Sequence, residues 1–295
     1  MPKAIITGAT GYIGSHVAKH LLETGWSVGI IVRQQSRLYN IHDVLDRIDI
    51  FEHTGSIHSL ADFLKKTSPN VVIHLAAATA SNPPIEHIQP LISSNIEFPT
   101  QLLEAMCLSN VKHFISTGSY WQNYNSDRYN PVDLYAATKE ACEAVLKYYT
   151  EVRGIRAVTL RLFDVYGEDD PRPKLWQQLH HSAQSGNVLD MSAGEQSIDL
   201  VHISDIVQAY ETAYHLLVND PEIRNEVYGV SSGKQLPLRD IVSLFQSVIG
   251  KHIPINWGAR PYRTREVMHP YNGYKTLPGW HPTISLEEGF AKFIK

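Results

Sequence analysis

Lys3-Ala4-Ile5-Ile6-Thr7-Gly8-Ala9-Thr10-Gly11-Tyr12-Ile13-Gly14 is the stretch that decides the fold. Lys3–Thr7 is a short apolar run that reads as a buried strand. A helical pattern follows from Ile13 to Thr24, and Gly25 ends it. Gly8, Gly11 and Gly14 sit at the turn between strand and helix. Glycine there permits a tight turn and lets backbone N–H groups approach an anion at the positive end of the helix. Glycines in such a pattern are a weak signal alone. Between a first strand and a first helix they predict a pyrophosphate site, contacted by Gly8, Thr10, Gly11, Tyr12, Ile13 and Gly14.

The same alternation continues through the first half. Strands are expected at Ser27–Val32, Asn70–Leu75, Val111–Ser116 and Arg156–Leu162, and helices near Ile57–Lys66, Asn95–Ser109 and Leu134–Arg153. Strands alternating with helices of this length imply βαβ units and a parallel sheet. The fold class is therefore α/β: a Rossmann-type doubly wound parallel sheet with a smaller mixed C-terminal lobe. Beyond residue 167 prolines break the chain into short pieces, with helical patterns at Pro173–Ser185, Ser204–Asn219, Leu238–Ile249 and Ser285–Phe290. This gives a cofactor domain over 1–167, with 199–219 returning to it, and a substrate lobe over 168–198 and 220–295.

Composition narrows the class. The chain has 295 residues, enough for a large core, with 26 Lys and Arg against 30 Asp and Glu. That balance argues against nucleic-acid or membrane partners. Cys107 and Cys142 lack CxxC spacing and read as free thiols in a reducing compartment. No apolar run reaches the roughly 20 residues that span a bilayer, and Met1-Pro2-Lys3 runs straight into a strand without a signal peptide. A cytoplasmic location follows. His180-His181 is the one adjacent pair among 15 histidines, without ligand spacing, so no metal is expected.

The end of the second strand selects the cofactor. Dinucleotide sites specific for NAD place an acid there for the ribose 2′-OH. Here Ile30-Ile31-Val32 runs into Arg33, with Arg37 four residues on and no acid before Asp43. An Arg fork binds a 2′-phosphate that a carboxylate repels, which points to NADP(H). Arg33 as a solvated strand-end charge remains the plainer alternative.

Tyr135-Ala136-Ala137-Thr138-Lys139 puts a phenol and an ammonium one helical turn apart. A nearby cation favours phenolate, so Tyr135 is expected to exchange a proton near neutral pH. The preceding strand ends in Ser116-Thr117-Gly118-Ser119, at the carboxyl edge where such sheets bind ligands. Ser119, with Thr117 second, is the hydroxyl expected to hold a substrate oxygen. A capping or turn role is the alternative.

With these pieces the chain resembles the extended short-chain dehydrogenase/reductase family over essentially its whole length. The matching residues are Thr7–Gly14, His74-Leu75-Ala76-Ala77, Asn95 opening its helix, Ser119, Tyr135 with Lys139, Arg161-Leu162-Phe163-Asp164-Val165-Tyr166-Gly167, and Asp199–Asp205. The resemblance implies that Tyr135 is the acid/base, Lys139 meets the nicotinamide ribose and Ser119 aligns the substrate oxygen. It further implies that Leu75, Ala76, Ala77 and Asn95 flank the cofactor, and that the lobe binds a nucleotide-linked sugar. A homodimer through the Tyr135 helix is a further implication.

Departures narrow the choice. Many sugar-nucleotide dehydratases of the family carry Thr-Asp-Glu at this strand end where this chain has Gly118, Ser119 and Tyr120, which disfavours dehydration. Arg33 disfavours the epimerases that keep NAD. Asp164 replaces a motif Asn, and Ile198 replaces an Arg. Thr117–Trp121, Gly167–Lys174, Pro261–Glu266 and Leu277–Trp280 are similar to the CDP-deoxyhexulose 4-reductases, the group of CDP-abequose and CDP-paratose synthases. That similarity implies C4-ketone reduction in deoxysugar biosynthesis for surface polysaccharide. Thr117, Trp121, Asp164, Arg172, Lys174, Arg263 and Arg265 are its substrate candidates. The four cations suit a diphosphate, and Trp121 or Trp176 suits stacking on a base or sugar, with core tryptophans and solvated charges as the alternative. Three other readings stay open: an NAD-dependent sugar-nucleotide epimerase, a dihydroflavonol-reductase-like reductase of a small ketone or aldehyde, and a redox-sensing NADP-binding regulator.

Overall fold

The computed structural model describes residues 1–79, 83–172 and 174–294. The chain opens with β1 (Lys3–Thr7), α1 (Tyr12–Glu23), β2 (Ser27–Val32), β3 (Ile48–Glu52), α2 (Ile57–Thr67) and β4 (Val71–His74). It continues through α3 (Ile88–Ile92), α4 (Phe98–Leu108), β5 (His113–Ser119), α5 (Leu134–Val152), β6 (Arg156–Leu162) and β7 (Asp164–Tyr166). The remainder holds α6 (Leu175–Ser185), β8 (Leu189–Met191), β9 (Ser197–His202), α7 (Ile203–Asn219) and β10 (Asn225–Val230). It ends with β11 (Gln235–Pro237), α8 (Leu238–Ile249), β12 (Ile255–Trp257) and α9 (Leu286–Ala291).

Seven strands form one parallel sheet in the order β10-β6-β5-β4-β1-β2-β3. The alternation of side chains along β1 shows why it is central. Ala4 and Ile6 enter one core with Val17 and Leu21 of α1 and Ile206 and Leu217 of α7. Ile5 enters the other, with Leu60 of α2, Leu102 of α4 and Leu146 of α5. A strand buried on both faces needs apolar residues at every position, as Ala4-Ile5-Ile6 supplies. The strand order reverses between β1 and β4, the switch point where such sheets open a ligand crevice.

A smaller lobe has its own core, in which Trp176, Leu179, Phe245 and Phe290 are buried. Trp176 is thus a core residue, not a stacking platform for a ligand. Two strand assignments also change. β10 lies within the 220–295 stretch assigned to the lobe, yet it pairs with β6 as the seventh strand of the main sheet. Within 199–219, β9 pairs with β7 and β11 in a separate small sheet, and α7 alone packs on the main sheet. β3, on the sheet edge, went unread because its solvent-facing residues interrupt the apolar run. Pro173, where a helix was expected to begin, lies outside the described residues, and α6 starts at Leu175. Cys107 and Cys142 are free thiols on α4 and α5. Among the described residues no helix is long and apolar enough to cross a membrane.

The expected helix from Asn95 is longer and irregular. The run begins at Ile88 and passes through a π turn at Ser93–Glu97 before α4. A π turn inserts an extra residue and re-aims side chains. Asn95, in that turn, is buried and bonds Ala78 through both backbone groups, at 2.8 and 3.0 Å, and Thr138 Oγ1 at 2.8 Å. It locks the segment after β4 onto α5.

His74, at the end of β4, is buried with its Nδ1 2.8 Å from Thr7 Oγ1. Burial pulls its pKa down to about 3. The unfolded chain takes up this proton below the ordinary histidine value of about 6.5, whereas the folded protein does not until far lower. Stability is therefore lost as pH falls through that window, by up to about 1.4 kcal/mol per pH unit. Urea unfolding at pH 7 and pH 4.5 should show wild type losing about 2 kcal/mol more than His74→Gln. Equal losses would contradict this.

Candidate active site

The carboxyl ends of β1, β4 and β5 open into two cavities that share Gly8, Gly11, Leu75 and Ala77. The inner one, about 460 Å³, is walled by Ile13, Gly14, Thr117, Ser119, Tyr135 and Lys139. The outer one, about 530 Å³, takes in Thr10, Arg33, Ser36 and Ala76. A third, of about 440 Å³, adjoins the inner cavity at Trp121, Asp164, Lys174 and Arg263 and extends to Arg260 and Arg265. Most sequence-predicted site residues thus lie along one continuous trough.

The glycine turn fits a dinucleotide by its lack of side chains. A Cβ on Gly8 would lie 2.5 Å from the Ala76 nitrogen, and one on Gly14 2.2 Å from the Gly8 carbonyl oxygen. Gly8 also has φ +75°. Backbone packs directly on backbone here, so the first turn of α1 stays open to an anion. Arg33, just beyond the end of β2, lines the outer cavity. Arg37 is exposed and lies outside that lining. The Asn95 side chain is engaged by Ala78 and Thr138.

Asp133 starts α5 by accepting the Ala136 N–H at 2.8 Å. That start sets Tyr135 and Lys139 one turn apart on the cavity side. The ammonium stands over the Tyr135 ring, 5.8 Å from its centre. Burial raises the phenol well above its ordinary pKa, the Asp133 carboxylate adds to this, and the Arg172 guanidinium opposes it. Burial also depresses the Lys139 ammonium. The expectation that Lys139 acidifies the phenol is therefore corrected: burial raises it, and the cation that opposes the rise is Arg172. At neutral pH Tyr135 holds its proton, the state that a proton donor needs.

Two hydroxyls face the cavity from β5, two residues apart and so on the same strand face. Ser119 Oγ accepts the Trp121 N–H at 3.3 Å, and among the described residues its own proton has no acceptor. Thr117 Oγ1 donates to the His74 carbonyl at 2.8 Å and lies 2.7 Å from the Tyr210 hydroxyl. Gln122 ties this strand end to α5. Its Oε1 accepts from the Ser119 backbone at 2.9 Å, and its Nε2 donates to Glu140 and Glu143 at 2.8 and 2.7 Å. Arg161 pairs with the same two carboxylates. Ser119 and Tyr135 therefore rest on one network.

The substrate candidates are more committed than expected. Arg172 is gripped by buried Asp170 through bonds of 2.7 and 2.6 Å and lies over the Tyr12 ring. It walls the inner cavity, not the third one, so its charge faces Tyr135 and Lys139. Arg265 stacks on Tyr124, 4.5 Å from the ring centre, and donates to Asn130. Arg263 lies over Trp121, 5.4 Å from its ring centre. Asp164 accepts the Tyr120 hydroxyl at 2.8 Å, and burial raises its carboxyl pKa.

A family profile described as NAD dependent epimerase/dehydratase family matches residues 4–228. The chain belongs to that family. CDP-abequose synthase of Yersinia pseudotuberculosis is 28% identical, covering 99% of both proteins. A probable UDP-glucuronate 4-epimerase of Rhizobium meliloti is 25% identical, covering 99% of this chain and 95% of the relative. The structure of UDP-glucose 4-epimerase from Brucella ovis in complex with NAD superposes at a TM-score of 0.86, with 22% identity over 100% of this chain and 98% of that one. The UDP-glucose 4-epimerase of Thermotoga maritima, solved with UDP-glucose, gives 0.84, with 22% identity over 99% and 97%. These structures share the family's fold, as the seven-stranded sheet requires.

Within this family site, sequence reasoning missed Asp133, Gln122, Asp170 and Tyr210. An Asp before Leu134-Tyr135 is a readable N-cap. Asp170 acts on Arg172 two residues along the chain, Gln122 on partners 3 to 21 residues away, and Tyr210 on Thr117 93 residues away, so the last lies beyond any local pattern. Replacing Gly14 by Ala should abolish dinucleotide binding, since the added carbon meets backbone that cannot move. Titration of Gly14→Ala with NADPH, monitored by fluorescence, should show a dissociation constant raised at least about 100-fold. Wild-type affinity would contradict the assignment.

Proposed function

We propose that this protein is an NADP(H)-dependent reductase of the C4 ketone of a nucleotide-linked, CDP-type, 6-deoxy- or 3,6-dideoxy-hexulose. The observation that carries this reading is a proton-donating site without a dehydrating one. Protonated Tyr135, Lys139 and Ser119 share the inner cavity, while Gly118, Ser119 and Tyr120 stand where a dehydratase carries Thr-Asp-Glu. The full-length similarity to CDP-abequose synthases supports the substrate class. Arg33 in the outer cavity supports NADP(H).

In this mechanism Gly8, Gly11 and Gly14 hold the pyrophosphate and Arg33 the 2′-phosphate, while Lys139 positions the ribose. A reduced nicotinamide bound there supplies hydride. Ser119 donates to the ketone oxygen, and its uncommitted proton suits that task. Tyr135 passes its proton to that oxygen as negative charge develops there. Lys174 and Arg263 face the diphosphate of the sugar nucleotide, with Trp121 beside it and Arg265 deeper in the third cavity. Placement in surface-polysaccharide deoxysugar biosynthesis, in the cytoplasm, completes the reading. Leu134, Tyr148 and Val152 form an exposed apolar face of α5 that suits a homodimer.

A second reading, an NAD-dependent sugar-nucleotide epimerase, draws on Glu97, a carboxylate in the outer cavity able to meet a ribose hydroxyl. Cofactor oxidation across CDP-, dTDP-, GDP- and UDP-linked 4-ketosugars separates the two. The reductase reading predicts turnover with NADPH and a CDP-linked substrate, and protein purified without bound NAD. Arg33→Ala should raise the KM for NADPH about tenfold and leave that for NADH within about twofold. Interconversion of C4 epimers without net cofactor oxidation would overturn the proposal. Tyr135→Phe should lower kcat about 100- to 10 000-fold while the NADPH dissociation constant stays within about threefold. Parallel loss of both would point to misfolding instead.

A further inference from the structure

Tyr210, on α7, is fully buried, and its hydroxyl lies 2.7 Å from Thr117 Oγ1. Thr117 in turn donates to the His74 carbonyl at 2.8 Å. A threonine hydroxyl has one proton. With that proton on the carbonyl, Tyr210 is the donor of the pair. The result is a directed chain, Tyr210 O–H to Thr117 O–H to His74 C=O, in which every proton is placed. Thr117 is also part of the inner cavity wall, together with Ser119 and Tyr135.

The chain has one movable link. Rotation of the Thr117 hydroxyl away from the His74 carbonyl gives up a single neutral hydrogen bond to an acceptor with two lone pairs. Tyr210 still donates to Oγ1 after that rotation, so the oxygen stays satisfied and in place. A donor that is itself receiving a hydrogen bond is polarised and gives a stronger one. Phenylalanine in place of Tyr210 would leave Oγ1 without this anchor.

We propose that Tyr210 is a positioning residue that holds the Thr117 hydroxyl ready as a second donor to the substrate oxygen, beside Ser119. The proposal rests on the reductase reading, and its test tells the two apart. NADPH-linked ketosugar reduction is measured for wild type, Tyr210→Phe, Thr117→Val and the double variant. Thr117→Val should lower kcat about 100-fold, as removal of an oxyanion donor does. Tyr210→Phe should lower kcat about tenfold, with both KM values within about twofold. In the Thr117→Val background it should add nothing, since its effect passes through that hydroxyl. Thr117→Ser, which keeps the hydroxyl, should restore the dependence on Tyr210 and guards against a folding defect in Thr117→Val. A Tyr210→Phe effect of equal size in both backgrounds, or no effect on kcat, overturns the proposal while the reductase reading stands. A wild type that reduces no 4-ketosugar overturns both.

Discussion

Backbone-to-backbone contact at the switch point between β1 and β4 is the constraint on which the molecule is organised. Gly8 touches the Ala76 backbone on one side and receives Gly14 on the other, with no space for a Cβ at either glycine. Close contact lets α1 start directly at the sheet edge. It also brings the strand-end segment Leu75–Ala77 into both cavities. Any side chain at these glycines would push the helix away from β4 and open the trough in its middle.

A second set of contacts joins the cofactor end to the lobe. Tyr12, beside the glycine turn, donates to the Glu168 carbonyl at 2.9 Å and lies under Arg172. Asp170, almost wholly buried, holds that guanidinium. The chain that leaves β7 for the lobe is therefore tied to the first turn of α1. On the opposite wall, Gln122, Glu140, Glu143 and Arg161 tie the end of β5 to α5. The hydroxyl of Ser119 and the phenol of Tyr135 belong to these two elements, so their spacing depends on a charge network neither of them contacts as a reactant. Buried networks of this kind are strong when complete and costly when broken.

Much of this was legible in the residues themselves. Continuous apolar runs at Ala4–Ile6 and Val71–Ile73 announced strands buried on both faces. The glycine turn, Arg33 and the Tyr135/Lys139 pair were readable because their geometry is local: a turn, a strand end and one helical turn. What was not legible depends on distant partners. Asn95 was read as opening a helix, but tertiary contacts to Ala78 and Thr138 draw it into a π turn. The electrostatics of Tyr135 differ from the expectation because spacing places Lys139 nearby without revealing that the surrounding protein opposes the phenolate. Arg172 and Arg265 were expected to suit a diphosphate, yet Asp170 and Tyr124 hold them. β10 returned to the main sheet unannounced, since a short half-buried strand in a proline-rich tail carries no sign of its partner.

In the proposed reaction, hydride reaches C4 of a nucleotide-linked ketosugar while Tyr135 supplies the proton. Reduction with NADPH carrying deuterium at both C4 positions of the nicotinamide is the decisive test, with the product read by NMR and mass spectrometry. One deuterium at C4 of the sugar, in a single configuration and absent elsewhere in the ring, is the predicted result. A sugar product free of deuterium, or deuterium returned to the cofactor with the C4 configuration inverted, would contradict it.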